Sequence, residues 1–127
     1  MTWTIGFDDA LRLIRIVYSA TLNPEDIEAS AAEALSLARK HECRNILADC
    51  QELLNTNSMS TVHLLADRIA AMKSSSAVRE ALVLPAHPIA QEAVRFWENA
   101  CRSRGLDVRT FADMPAAIEW LSAPHPA

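Results

Sequence analysis

The sequence predicts an α/β domain: one mixed, mostly parallel sheet with four helices, in the order β-β-α-β-α-β-α-β-α. Three observations lead there. Two alternating segments stand back to back at the N-terminus, with only a short acidic turn between them. Beyond them, short apolar runs alternate with longer segments of helical period, which requires right-handed crossovers and largely parallel strands. The length of 127 residues, half of them apolar, suits one domain with its own core and no disulfide or metal staple.

Trp3, Ile5 and Phe7 alternate with polar or small residues, the period of a strand. Asp8-Asp9 makes a turn, and Leu11 to Ala20 forms a second strand with Ile14, Ile16 and Tyr18 on one face, closing an antiparallel hairpin. Asn23 is an N-cap, Pro24 occupies the first helical position, and Glu25 and Asp26 favour the positive end of the helix dipole. That helix carries Ile27, Ala31, Ala34, Leu35 and Ala38 as its apolar stripe and runs to about His41.

Ile46-Leu47-Ala48 is a strand buried on both faces, ending at Asp49-Cys50 and followed by a polar loop, Gln51 to Asn57. A second helix begins near Ser58 or Ser60, with Val62, Leu65, Ile69 and Met72 inward, and breaks at Ser74-Ser75-Ser76. Ala81-Leu82-Val83-Leu84 is the next strand, closed by Pro85. Pro88 starts a third helix with Ile89, Ala93, Phe96, Trp97 and Ala100 as its stripe, and Gly105 suits the left-handed position that ends it. Leu106 to Phe111 is the last strand. Asp113 caps a final helix carrying Ile118 and Leu121. Residues 1–122 form the domain and 123–127 a frayed tail.

Composition excludes several classes of function. Net charge is −4, Lys40 and Lys73 are the only lysines, and no basic run exceeds two residues, so a nucleic-acid surface is not expected. Gly6 and Gly105 are the whole glycine supply, too few for a P-loop or a GxGxxG turn. Cys43, Cys50 and Cys101 are odd in number and widely spaced, as free thiols of a reducing compartment are. The N-terminus lacks a basic leader and no apolar run reaches membrane-spanning length, so a cytoplasmic location is expected.

In an open parallel sheet, ligands and partners meet the carboxyl ends of the strands. That rim collects Asp49, Cys50, Asn55, Asn57, Ser58, Ser60, His87 and Asp113, together with helix N-termini suited to an anion. Cys50 with His63 or His87 could form a nucleophile–base pair, though a structural thiol is the commoner outcome. His63 and Asp67, one turn apart, are half a metal site or a solvated helix face. His87 suits an N-cap or a ligand contact, and Ser58 and Ser60 suit N-caps or a phosphosite. Leu53, Leu54 and Met59 either fold onto the core or stand exposed as an apolar contact surface. Trp97 and Trp120 suit core packing, a groove lining or a homodimer interface.

Arg104-Gly105-Leu106-Asp107-Val108, Phe111-Ala112-Asp113 and Ala117-Ile118-Glu119-Trp120-Leu121 resemble the RG-x-x-V, F-x-D and A-x-x-W-L ending of the SpoIIAA-like branch of the STAS superfamily (sulfate transporter and anti-sigma-factor antagonist). The resemblance spans about Thr4 to Leu121, and Ile46-Leu47-Ala48-Asp49 is similar to the family's central strand. Antagonists of that family carry Asp-Ser-Ser-Gly about eight residues beyond this aspartate. The matching stretch here is Asn57-Ser58-Met59-Ser60, with Ser58 at the phosphoacceptor position and Asn57, Met59 and Ser60 in place of aspartate, serine and glycine. The resemblance implies a non-enzymatic regulatory or protein-interaction module. Its surface would comprise Asp49, Cys50, Leu53, Leu54, Asn57, Met59, Ser60 and His87, controlled by phosphorylation at Ser58, with an unidentified protein partner and no metal or cofactor. The SpoIIAA-like group is also akin to Sec14-type lipid carriers, which implies an alternative: a carrier of a small lipid or acyl chain. A Cys/His enzyme ranks third.

Overall fold

The computed structural model describes residues 3–20, 23–54, 59–72 and 78–124. Its order is β1 (Trp3–Asp8), β2 (Leu13–Ala20), α1 (Pro24–Lys40), β3 (Asn45–Leu53), α2 (Met59–Met72), β4 (Arg79–Val83), α3 (Pro88–Arg102), β5 (Asp107–Phe111) and α4 (Met114–Ser122). This is the α/β class and element order expected from the residues. The five strands lie side by side in chain order, β1 antiparallel to β2 and the remaining pairs parallel.

Period-two alternation divides the core between the sheet's faces. Ile14, Ile16 and Tyr18 on β2, Ile46, Ala48 and Cys50 on β3, and Leu82 on β4 belong to the larger cluster, packed with α1, α2 and α3. Leu13, Leu47, Ala81 and Val83 belong to the smaller one, closed by Ala117 and Leu121 of α4. Among the described residues, α4 is the helix that covers that second face, and it packs on β3, β4 and β5.

The helix ends follow from local chemistry. Asn23 Oδ1 accepts from the Asp26 N–H at 2.8 Å and the Asp26 side chain reaches back to the Asn23 N–H, a reciprocal cap on α1. His87 Nδ1 accepts from the Ile89 N–H at 3.2 Å, and Asp113 Oδ1 from the Ala116 N–H at 2.9 Å. At their C-termini, α1 and α3 close with the same pair of bonds. Glu42 N–H reaches the Arg39 carbonyl and Cys43 N–H that of Ala38; Gly105 N–H reaches Arg102 and Leu106 N–H reaches Cys101. The left-handed residue is Glu42 (φ 51°) in one and Gly105 (φ 80°) in the other.

Several details differ from the sequence reading. The second strand begins at Leu13, because Leu11 is held in the turn by its N–H bond to Asp8 Oδ1 at 3.0 Å. β3 continues through the expected loop to Leu53, since β2 still offers it partners: Ser19 faces Glu52 and Ala20 faces Leu53 beyond a register shift. β4 begins two residues early, at Arg79. The stripe of α3 is wider than expected: Ala93, Phe96, Trp97 and Ala100 face inward as read from the sequence, Ala90, Val94 and Cys101 are buried with them, and Ile89 stands 65% exposed. Of the expected tail, Ala123 and Pro124 have carbonyls held by Arg79, and residues 125–127 lie outside the described residues.

The matched helix ends make a paired test. A Cβ added at Gly105 meets nothing within 4 Å, so Gly105→Ala costs only its backbone strain, about 1 kcal/mol of unfolding free energy. Glu42→Gly relieves the same strain in α1 and stabilises by up to about 1 kcal/mol. Urea denaturation with unchanged m-values measures both, and equal signs for the two substitutions would contradict the assignment.

Candidate functional site

A pocket of about 120 Å³ lies between the sheet and the three helices on its larger face. Its position follows from the packing of α2. This helix packs closely on α1 and on α3, but makes no comparably close approach to any strand. Arg68 on α2 pairs with Glu28 on α1 at 3.3 Å. At the other flank Arg104, just past α3, bonds to both Asp67 Oδ1 and His63 Nδ1. The helix is thus tied to its neighbours and bridges over the sheet.

The wall is mostly aliphatic and aromatic, with Leu53, Leu65, Leu82, Val94 and Trp97 among its members. Four groups on it can ionise: Tyr18, Cys50, Glu80 and Cys101. Tyr18 Oη shares a 2.7 Å hydrogen bond with Ser30 Oγ, which in turn donates to the Ile27 carbonyl, so this hydroxyl is committed to α1. Glu80 makes no hydrogen bond or ion pair among the described residues. The surface it retains is part of the pocket wall.

Burial pushes the Glu80 carboxyl up to about 7. Burial also drives Tyr18 and both thiols well above their ordinary values, and the neighbouring Glu80 charge adds to the shift in all three. Asp49 raises Cys50 further, whereas Arg104 partly offsets the effect at Cys101. Both thiols are therefore protonated at neutral pH, and a thiol is a poor nucleophile.

Most of the residues singled out along the rim have other roles. No imidazole hydrogen-bonds to Cys50 among the described residues. His87 caps α3, and His63 packs edge-on against Phe96 at 5.4 Å while facing Arg104. His63 and Asp67 share Arg104, which places a cation where a metal would sit. Asp49 Oδ1 accepts from the Gln51 N–H at 3.1 Å, a local turn contact. Leu53 folds back and lines the pocket, whereas Leu54 stands 71% exposed. Asn55, Asn57 and Ser58 lie outside the described residues; Met59 and Ser60 begin α2, but their side chains are outside them too. Trp97 lines the pocket, and Trp120 packs against Phe111, with the guanidinium groups of Arg79 and Arg109 5.1 and 5.3 Å from its ring.

Tyr18, Glu80 and Cys101 are the ionisable site residues that sequence reasoning missed. Placing the strand start at Ala81 left Glu80 in the preceding connection. Its parity was the available signal, since Glu80 shares a face with Leu82. No protein-family model and no curated protein matches the chain.

The Glu80 carboxyl sets a pH dependence of stability. In the unfolded chain it titrates near its ordinary value of about 4.3. The native state therefore binds the extra proton between about 4.5 and 7, and stability falls as pH rises through that window. Glu80→Gln abolishes this slope and is more stable than the parent at pH 8, by on the order of a few kcal/mol. Urea melts of both proteins at pH 5 and pH 8 measure it; a difference between them that is the same at both pH values would refute the assignment.

Proposed function

We propose that this domain is a non-enzymatic binding module of the SpoIIAA-like kind that carries a small, mainly apolar ligand between its sheet and its helices. The observation that carries this reading is the pocket itself: the space between the sheet and α1, α2 and α3 is lined mainly by apolar side chains. Pockets of this make-up, with few polar groups on an apolar wall, are where small molecules bind. The volume, about 120 Å³, is somewhat below the roughly 150 Å³ of a cavity that accepts benzene, so it suits a compact occupant of about six non-hydrogen atoms. A non-enzymatic role is favoured by the protonated state of Cys50 and Cys101 and by the structural work of His63 and His87.

A second reading, regulation through a protein partner, is favoured by the distribution of exposed apolar side chains. Leu54 after β3, Ile89 at the start of α3 and Leu64 on α2 are all more than half exposed and follow the carboxyl ends of β3 and β4. Phosphorylation at Ser58, the residue before Met59 in the sequence, would add negative charge to the segment that joins β3 and α2. Protein isolated from its own cells would then carry one phosphoryl group that Ser58→Ala removes; an unmodified Ser58 under all growth conditions overturns the switch.

Toluene is the simplest probe of the pocket. At a free concentration about ten times its Kd it raises Tm by a few degrees. Ala93→Phe, which fills the pocket from α3, abolishes the shift. Absence of any shift in the parent protein, with no binding by native mass spectrometry, would eliminate the carrier reading.

A further inference from the structure

We propose that the pocket selects a small apolar amine, whose protonated nitrogen pairs with the Glu80 carboxylate while its hydrocarbon body packs among the helices. The inference rests on the reading of the pocket as a ligand site and deepens it by assigning the chemistry of the ligand's head group. Three observations converge on it. Among the described residues, Glu80 is the only carboxylate on the wall of this pocket, and its carboxyl makes no hydrogen bond or ion pair. The other strong polar group, the Tyr18 hydroxyl, gives its proton to Ser30 Oγ at 2.7 Å and has only acceptor capacity left for a ligand. The rest of the wall is apolar apart from two weakly polar thiols.

These facts discriminate among ligand classes. A water cluster is a poor match, because each buried water needs about two to four polar partners and most of the wall is apolar. A fatty or aromatic carboxylate would set a second negative charge beside Glu80, and one of the two acids would have to stay protonated at neutral pH. A neutral alcohol gains one ordinary hydrogen bond. A protonated amine gains a charge-assisted one, roughly twice as strong.

Burying an ion pair is usually unfavourable because both charges lose their water. Here part of the desolvation of Glu80 has already occurred on folding, so an incoming amine bears mainly its own share. In return it removes the unpartnered state of the acid. The proton that Glu80 holds at low pH leaves to solvent as the pair forms, so binding weakens as the acid is titrated.

The groups facing Glu80 leave that titration to Glu80 alone. Tyr18 from β2, Cys50 from β3 and Cys101 from α3 stay protonated throughout the neutral range. The lining residues of α1 and α2, Ile27, Ala31, Val62, Leu65 and Ile69, do not titrate. On β5, Asp107 borders the adjoining smaller cavity with Glu80, and its carboxylate is paired with Arg79 at 3.8 Å.

The test uses the full chain and four probes of similar shape: toluene, benzyl alcohol, benzylamine and benzoate. Calorimetric titration at pH 8 is expected to show benzylamine binding about tenfold or more tighter than benzyl alcohol, with benzoate weakest. Glu80→Gln is expected to keep toluene and benzyl alcohol binding while losing the preference for the amine. Should that variant fail to fold, the parent protein still decides: benzylamine affinity falls by up to about tenfold per pH unit below pH 7 while that of benzyl alcohol stays level. Benzoate or benzyl alcohol binding as tightly as benzylamine overturns the amine assignment but leaves the carrier reading intact. Failure of all four probes to bind overturns both.

Discussion

Two adjacent residues of one strand, Arg79 and Glu80, set the character of the two faces of the sheet. Strand geometry sends neighbouring side chains to opposite sides. Arg79 goes to the α4 face, where Nη1 donates to the carbonyls of Trp120 and Ala123 and Nη2 to that of Pro124, at 3.0 to 3.2 Å. A guanidinium there meets the negative end of a helix and closes its free carbonyls. Glu80 goes to the other face and finds no such partner among the described residues. One charge is absorbed by the fold; the other is left on a pocket wall.

That asymmetry depends on how the helices sit. α4 lies directly on the strands, and Ala117 and Leu121 fill the space against Leu47, Ala81 and Val83. On the larger face, the middle helix is supported from its flanks by Arg68–Glu28 and by Arg104 with Asp67 and His63. Such pairs at the surface contribute little energy individually, with a median of about 0–1 kcal/mol. Their role is positional: they tie the helix to α1 and α3 and leave unfilled volume where the sheet would otherwise meet it. Unfilled apolar volume costs stability, and so does a carboxyl without a partner. Sites of binding are where folds commonly accept such costs.

The same low-polarity surroundings that suit a ligand silence the chemistry a cysteine could offer. A reactive thiol needs a nearby cation or helix N-terminus to hold its thiolate. Cys50 has instead burial and two carboxylates raising it, and Cys101 has one carboxylate against a single arginine. The proposed SpoIIAA-like binding role and the suppression of thiol reactivity thus have one physical origin. Among the described residues, no helix is long and apolar enough to cross a membrane and no cluster of potential metal ligands is assembled.

The element order could be read from the chain because its signals are local. Alternation in Trp3, Ile5 and Phe7, the Asn23-Pro24 cap, the Ala81–Leu84 run and Gly105 each report on their own few residues. Boundaries that depended on a partner strand were misread: β3 reaches Leu53 because β2 continues beside it, and no property of Gln51 or Glu52 announces that. The exposure of Ile89 on α3 was likewise not legible, because the inner face of that helix is fixed by its packing on β5, where Glu98 binds the Thr110 N–H and hydroxyl. The site was the least accessible to sequence reading. Tyr18, Cys50, Glu80 and Cys101 come from four separate elements, and each alone looks like an ordinary core or strand residue. Local periodicity and capping set the fold class; convergence of distant side chains around an unpaired carboxyl arises only when the helices take their places, since burial and charge proximity are properties of packing and not of spacing along the chain.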